Sequence, residues 1–272
     1  LATGAAADRL EPPLERAYFE LLERLVLTDN VVEMRSGARR DRPGAAQRRL
    51  SVSNGVALHG DLVRATRAAA LEAIERDRVL RSWYGGERPE RVDVPLGISS
   101  SSLRSDYELR VVRFRKGVEL AGQETIVVGI VAFPRVAHAP LSVGFAARSE
   151  LDDAVAAAER ELLQQVAFGW GEGVPSESPE AEPTPEFNLD FFAYPGNHVV
   201  LRRWLDGEHE GRGPDLPSEE GDFWFEELTS PWLGAGLRVV KAFHANAVPL
   251  VFGIGHPWFE DLPECMRVQP IG

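Results

Sequence analysis

Cysteine is almost absent from this sequence. Cys265 stands alone among 272 residues, so no intrachain disulfide can form and a reducing, cytoplasmic compartment is the expectation. Long apolar runs are missing too: the most extended, around 245–254, is too short to span a bilayer and is interrupted by Pro249, so no membrane association is expected. The opening Leu1-Ala-Thr-Gly-Ala-Ala-Ala-Asp8 lacks the basic lead and hydrophobic stretch of a signal peptide, and without an initiator Met it is read as N-terminally trimmed. Positive charge is in deficit. At a formal net charge of −12 the long-range field repels polyanions, and nucleic acid is not an expected partner. Neither a Gly-x-x-x-x-Gly-Lys loop nor a Gly-x-Gly-x-x-Gly fingerprint occurs, so a phosphate group would have to be held by metal and arginine. There is no Gly-x-Ser-x-Gly nucleophile turn, Cys265 lacks a flanking nucleophile signature, and His59, His244 and His256 show no zinc spacing.

What is present begins with 44% apolar residues, enough to bury a full core as one large domain or two interlocked halves. One acidic phrase occurs twice, as Glu20-Leu-Leu-Glu23-Arg24 and as Glu72-Ala-Ile-Glu75-Arg76-Asp77, each within a stretch of helical apolar spacing. Carboxylates three residues apart share a helix face. A single such phrase is most often a solvated face. Two of them side by side would gather four carboxylates and two guanidinium groups, a set suited to Mg²⁺ and phosphate because hard cations prefer oxygen and arginine forks match phosphate oxygens.

Along the chain, Pro12 and Pro13 sit where a helix can begin, and Leu14, Tyr18, Leu21, Leu22 and Leu25 recur at helical spacing. Residues 35–49 read as a basic, exposed connector, and 50–60 as a strand ending in a turn. A second helix is expected over 61–83, with closely packing alanines at 68–70. Period-two segments at 107–114, 125–133 and 141–145 read as consecutive, antiparallel strands. Ser149 with Asp152 suggests a capped start for a third helix over 152–166, and 171–185 and 206–221 read as loops. Residues 198–201, 223–228 and 237–243 read as strands, and the tryptophans as core or interface anchors. Sheet runs and helices mix without regular alternation, so the fold class is α+β. The repeated phrase hints at an internal duplication.

Ser53-Asn54-Gly55-Val56-Ala57-Leu58-His59-Gly60, followed by 65–70 and the second acidic phrase through Trp83, resembles the YcaO family. The first phrase, from Ala17, is similar to that family's Ser-x-x-Glu-x-x-Glu-Arg motif. Val143-Gly144-Phe145-Ala146 with Glu161-Leu-Leu-Gln164 resembles its later strand and Glu-x-x-Gln helix, and 237–253 its closing strand and loop. Four motifs in the family's order are more specific than any one of them.

The resemblance implies a single YcaO-like domain over 1–272, α+β, with mixed and antiparallel sheets and two pseudo-related lobes around a central nucleotide site. It implies ATP and Mg²⁺ as cofactors, with Glu20, Glu23, Glu72 and Glu75 around the divalent ions. Arg24 and Arg76 would meet phosphate or hold the carboxylates, Asn54 would reach the nucleotide, and Glu161 and Gln164 would complete the pocket wall. Turn chemistry alone makes Asn54-Gly55 a turn pair.

The implied reaction is ATP-dependent phosphorylation of a peptide backbone amide, giving azolines in ribosomal peptide natural-product maturation; the sequence names no catalytic base. The alternatives are a thioamide-forming enzyme with a TfuA-like partner and a catalytically degenerate, peptide-binding scaffold. Implied partners are a precursor peptide, a leader-binding ThiF-like or TfuA-like protein, and a second copy in a homodimer. The sequence departs from the family pattern at Ala17 and Ala69, where hydroxyls are usual, and has no lysine near its start, Lys116 and Lys241 being its only two. The two acidic phrases are also unusually close, which implies a shortened first lobe, and the ending Arg267-Val-Gln-Pro-Ile-Gly272 differs from the proline-rich tail of azoline-forming members.

Overall fold

The computed structural model describes residues 13–36, 54–97, 103–115, 118–170, 173–182, 184–208, 216–218, 220–231, 233–234, 236–253, 257–260, 262 and 266–271. Expectations for the chain start, residues 37–49 of the 35–49 connector, residues 50–53, Cys265, Lys116 and His256 lie outside them, while 35–36 belong to the first helix and not to the connector. In chain order the principal elements are α1 (Pro13–Ser36), β1 (Val56–His59), α2 (Leu62–Gly85), β2 (Glu90–Arg91), β3 (Tyr107–Arg113), β4 (Glu119–Leu120), β5 (Gln123–Glu124), β6 (Ile126–Pro134), β7 (Ser142–Arg148), α3 (Leu151–Gly169), α4 (Pro185–Ala193), α5 (His198–Asp206), β8 (Phe223–Leu228) and β9 (Arg238–His244). The chain divides into two compact units, Leu1–Asp77 with Pro217–Leu250 and Arg78–Leu216 with Val251–Gly272.

In the first unit, proline at the start of α1 costs nothing, because the first N–H groups of a helix have no intrahelical partner. Its stripe ends in Val26 and Leu27, which pack on Val56, Leu228 and Val239 of an antiparallel sheet ordered β1-β9-β8. The 61–83 expectation holds as α2. Its Ala65, Ala69, Ala70 and Ala73 are buried, and their small size lets the helix approach the Asn54-Gly55 turn. Gly55 is required there. Its φ is +69°, and a Cβ would stand 2.9 Å from the Ala242 carbonyl oxygen and 3.1 Å from Ala73 Cβ.

The second unit holds the expected antiparallel run of strands, ordered β2-β3-β6-β7, with α3 across it. Tyr107, Val128, Ile130 and Ala146 from the sheet meet Ala154, Ala158 and Leu162 of α3. Contact is close enough that a Cβ on Gly144 would lie 2.2 Å from the Ala158 carbonyl oxygen, so glycine is needed at this crossing. A second cluster forms around Trp83 and Trp204, whose rings meet edge to face at 5.2 Å, while Phe114 stacks on Trp204. Both indole N–H groups are used: Trp83 donates to the Met266 carbonyl and Trp204 to Ser82 Oγ. These two tryptophans are the expected core anchors. Trp170, by contrast, is 46% exposed.

Three local expectations are corrected. Residues 198–201 are not a strand but the first turn of α5, because Leu201, Trp204 and Leu205 are buried at helical spacing while Val199 is exposed. The β-branched pair Val199-Val200 favoured the strand reading over that spacing. Gly207, at φ +75°, closes this helix in the left-handed conformation. The helix over 151–169 is not capped by Ser149: its N-cap is Glu150, with no side-chain cap hydrogen bond. The loop assigned over 171–185 gives way to α4 at Pro185, where Thr184 Oγ1 accepts from the Phe187 N–H at 3.1 Å. Thr184→Ala is expected to lower stability by about 1 kcal/mol, read as a shifted denaturant midpoint at constant slope.

Candidate nucleotide and cation site

β1 lies at the edge of its sheet, so the N–H groups that do not face β9 need other partners. They find carboxylates. Val56 N–H donates to Glu72 Oε2 on α2 at 2.8 Å, and Leu58 N–H donates to Glu23 Oε2 on α1 at 3.1 Å. Two residues apart along a strand means the same side of it, so the two acidic helices meet on one edge. The repeated phrase thus has a structural result: one carboxylate from each copy is fixed to the same short strand.

Glu23 and Glu72 are close enough to repel. Burial first, and the Glu72 charge second, push the Glu23 carboxyl from 4.5 up to about 8; the Leu58 N–H opposes this, Glu20 adds to it and Arg76 opposes it. At neutral pH, then, Glu23 retains its proton unless a cation approaches. Glu72 Oε1 accepts from Arg76 at 2.7 Å, with both side chains largely covered, so Arg76 holds the carboxylate in place. Glu20 and Arg24 pair at 2.6 Å one turn apart on α1, but Arg24 is 52% exposed and this pair adds little stability. Glu75, one turn beyond Glu72, is half-buried.

Among the described residues, no three carboxylate, imidazole or thiolate groups form a closed cation cage. The donors nonetheless fit Mg²⁺, which is usually held by one or two carboxylates together with water and substrate phosphates rather than by an all-protein cage. Glu23 and Glu72 would supply such oxygens, with Glu20 near enough to be felt by Glu23. Asn54, 8% exposed, faces inward: its Oδ1 has no hydrogen-bond partner among the described residues, and it lines a cavity of about 20 Å³ with Lys241, Phe243 and His244.

Glu161 and Gln164 belong to the second unit, where the strand-to-helix clamp recurs. Phe145 N–H donates to Glu161 Oε2 at 2.8 Å across 16 residues, the same separation as between Val56 and Glu72. Gly144 precedes Phe145 as Gly55 precedes Val56. The closer internal likeness is therefore between β1–α2 and β7–α3, with Glu161 and Gln164 in the places of Glu72 and Glu75. Gln165, not singled out from sequence, accepts from the Val143 N–H at 3.0 Å.

Several polar residues near the first clamp were not legible as site residues. Asp77 Oδ1 accepts from the Val248 N–H at 2.8 Å, and Lys241, 1% exposed, donates to the Asn54 carbonyl at 2.7 Å. A lysine between Val240 and Ala242 in an otherwise buried strand was the available signal. His244 accepts at Nδ1 from the Asn246 N–H, which leaves Nε2–H to donate to the Gly221 carbonyl at 3.1 Å, a structural role as expected.

A family model described as YcaO cyclodehydratase, ATP- and Mg²⁺-binding, matches residues 16–224. Among solved structures the fold is similar to a heterocyclase in complex with substrate and cofactor (TM-score 0.51, 20% identity, 79% of this chain and 32% of that one). It is also similar to the E. coli microcin synthetase McbBCD complex (0.52, 13%, 80% and 62%). A third is the YcaO from Methanopyrus kandleri bound with AMPPCP and Mg²⁺ (0.52, 19%, 72% and 55%). At these identities the likeness is one of fold, and the chain spans less than two thirds of each structure's length. A comparison with curated protein sequences gives no match. No helix among the described residues is long and apolar enough to cross a membrane. With the family model matched over most of its length, and with an α+β fold of helices on antiparallel sheets like the YcaO structures, this chain belongs to the YcaO family.

Proposed function

We propose that this chain is the nucleotide-binding part of an enzyme that activates a peptide backbone amide by phosphorylation, leading to azoline rings. The observation that carries the proposal is the convergence of Glu23 and Glu72 on the edge of β1. Two neighbouring carboxylates, one of them protonated without a counter-charge, make a poor core and a good seat for a hard cation. Bound Mg²⁺ would supply neutralisation of the phosphate charge. Arg76 steadies Glu72, and Glu20, Glu75 and Arg24 provide further oxygens and a guanidinium on the same two helices. Asn54 is assigned to the nucleotide side of this set. Glu161 and Gln164 stay in the proposal because Glu161 repeats the Glu72 clamp.

In the reaction, a Cys, Ser or Thr side chain of the substrate attacks the preceding carbonyl carbon. The resulting hemiorthoamide oxygen takes the γ-phosphoryl group of ATP, and loss of phosphate leaves the azoline. The protein's share is positioning and charge neutralisation, as is usual in phosphoryl transfer. The McbBCD structure is a complex of several proteins, and a precursor peptide, a ThiF-like or TfuA-like leader-binding protein and a second copy of this chain are the partners proposed here. Incubation of a candidate peptide with the protein, its partner and Mg·ATP should give a product lighter by one water. Exchange of oxygen for sulfur would point to the thioamide reaction instead. No mass change together with no nucleotide binding would leave the scaffold reading.

A further inference from the structure

We infer that Lys241 is a positioning residue for the Glu23 and Glu72 carboxylates, acting through the start of β1. This deepens the functional reading above and rests on it only for its nucleotide readout. An ammonium group that is 99% buried is costly to desolvate and persists where it has a defined task. Here Lys241 Nζ donates to the Asn54 carbonyl at 2.7 Å and lies 5.0 Å from the Phe243 ring centre. Its own backbone position is opposite Val56, the residue whose N–H meets Glu72. The Gly55 carbonyl accepts from the Ala242 N–H at 2.7 Å, so β9 grips the turn at two successive carbonyls, once through backbone and once through the lysine side chain.

That grip sets where β1 begins. The Asn54-Gly55 turn is crowded on both sides, by the Ala242 carbonyl and by Ala69 and Ala73 of α2, so a shift of the turn carries Val56 with it. The cavity beside Asn54, Lys241 and His244 has room for about one water molecule, and the Lys241 ammonium is turned to the Asn54 carbonyl. Lys241 therefore works on the turn from behind, and its effect on a bound nucleotide passes through the Val56 and Leu58 N–H groups to the two carboxylates. The sequence shows a lone lysine among apolar neighbours but not its contact with the turn, since the two are far apart in the chain.

The test uses the full chain with Lys241→Met, which keeps the length of the side chain and removes the donor. Amide hydrogen exchange at Val56 and Leu58 should quicken by at least about tenfold while the β8–β9 pairs keep their protection. The Kd for Mg·ATP should rise by about tenfold or more, the range found when a group supporting a metal ligand is removed. Unchanged exchange at Val56 and Leu58 overturns the inference. So does faster exchange over the whole sheet, which would mark a general loss of stability. If wild-type protein fails to bind Mg·ATP, the functional reading falls, and the exchange result still decides the role of Lys241. Should Lys241→Met not fold, Lys241→Arg, which displaces the donor, is read by the same local exchange at Val56 and Leu58, with the same two outcomes.

Discussion

Replacing Glu72 with alanine is expected to weaken Mg²⁺-dependent ATP binding by about 100-fold or more and to abolish turnover. Three functions go with the side chain: the acceptor for the Val56 N–H, the partner of Arg76, and one of the two oxygens offered to the cation. Loss of the acceptor alone leaves a covered N–H group without a partner, a cost of about 1–3 kcal/mol to the fold. Glu72→Gln separates these effects, because its amide oxygen still accepts from Val56 while the charge is gone. The glutamine variant should therefore melt near the wild-type temperature and still lose nucleotide affinity, as should Glu75→Gln. Titration calorimetry beside thermal melts reads both quantities. A glutamine variant that binds Mg·ATP like wild type would remove Glu72 from the site.

The second large effect is on pH dependence. Glu23 has its carboxyl raised from 4.5 to about 8 in the folded protein, chiefly by burial and then by Glu72. A group raised in this way holds its proton in the folded state while the unfolded chain has lost it, so its contribution to stability is complete below about pH 4.5 and is lost as pH rises through 8. Without nucleotide or metal, the wild type should thus lose stability relative to Glu23→Gln between these limits. At pH 8.5 the variant should melt higher by roughly 5 °C, corresponding to about 2 kcal/mol, and the gap should close near pH 4.5. Mg·ATP should reverse the order, since the cation replaces the proton on wild-type Glu23 and has no charge to pair with in the variant. A wild type and variant whose melting temperatures run parallel over this range would show that Glu23 is not held protonated.

Much of this was legible in the sequence because the signals were periodic. The apolar spacing through Leu25 and the alanines of α2 gave both acidic helices, although Leu14 and Tyr18 at the start of the first stripe are exposed, and the alternation in 107–114 and 125–133 gave strands that pair antiparallel as β3 and β6. What escaped were contacts made by side chains with backbone. Nothing in Glu23 or Glu72 alone says that each accepts from an edge strand, since that depends on β1 being at the edge. For the same reason the sequence points to a duplication between the two acidic phrases. The structure shows a second likeness, Gly55-Val56 with Glu72 against Gly144-Phe145 with Glu161, carried by hydrogen bonds at equal spacing and only faintly by residue identity. The helix at 198–206 was missed because two valines outweighed the buried Leu201, Trp204 and Leu205 stripe, of which Trp204 packs on Phe114 and Trp83.

Calorimetric titration of the wild-type chain with ATP, with and without Mg²⁺ and in buffers of different ionisation enthalpy, bears most directly on the paired carboxylates. Binding should appear only with Mg²⁺ and should release a proton near neutral pH, as the cation displaces the one on Glu23. Binding of equal strength in the presence of a chelator, or no binding at all with Mg²⁺ supplied, would contradict the assignment of Glu23 and Glu72 to a cation-dependent nucleotide site.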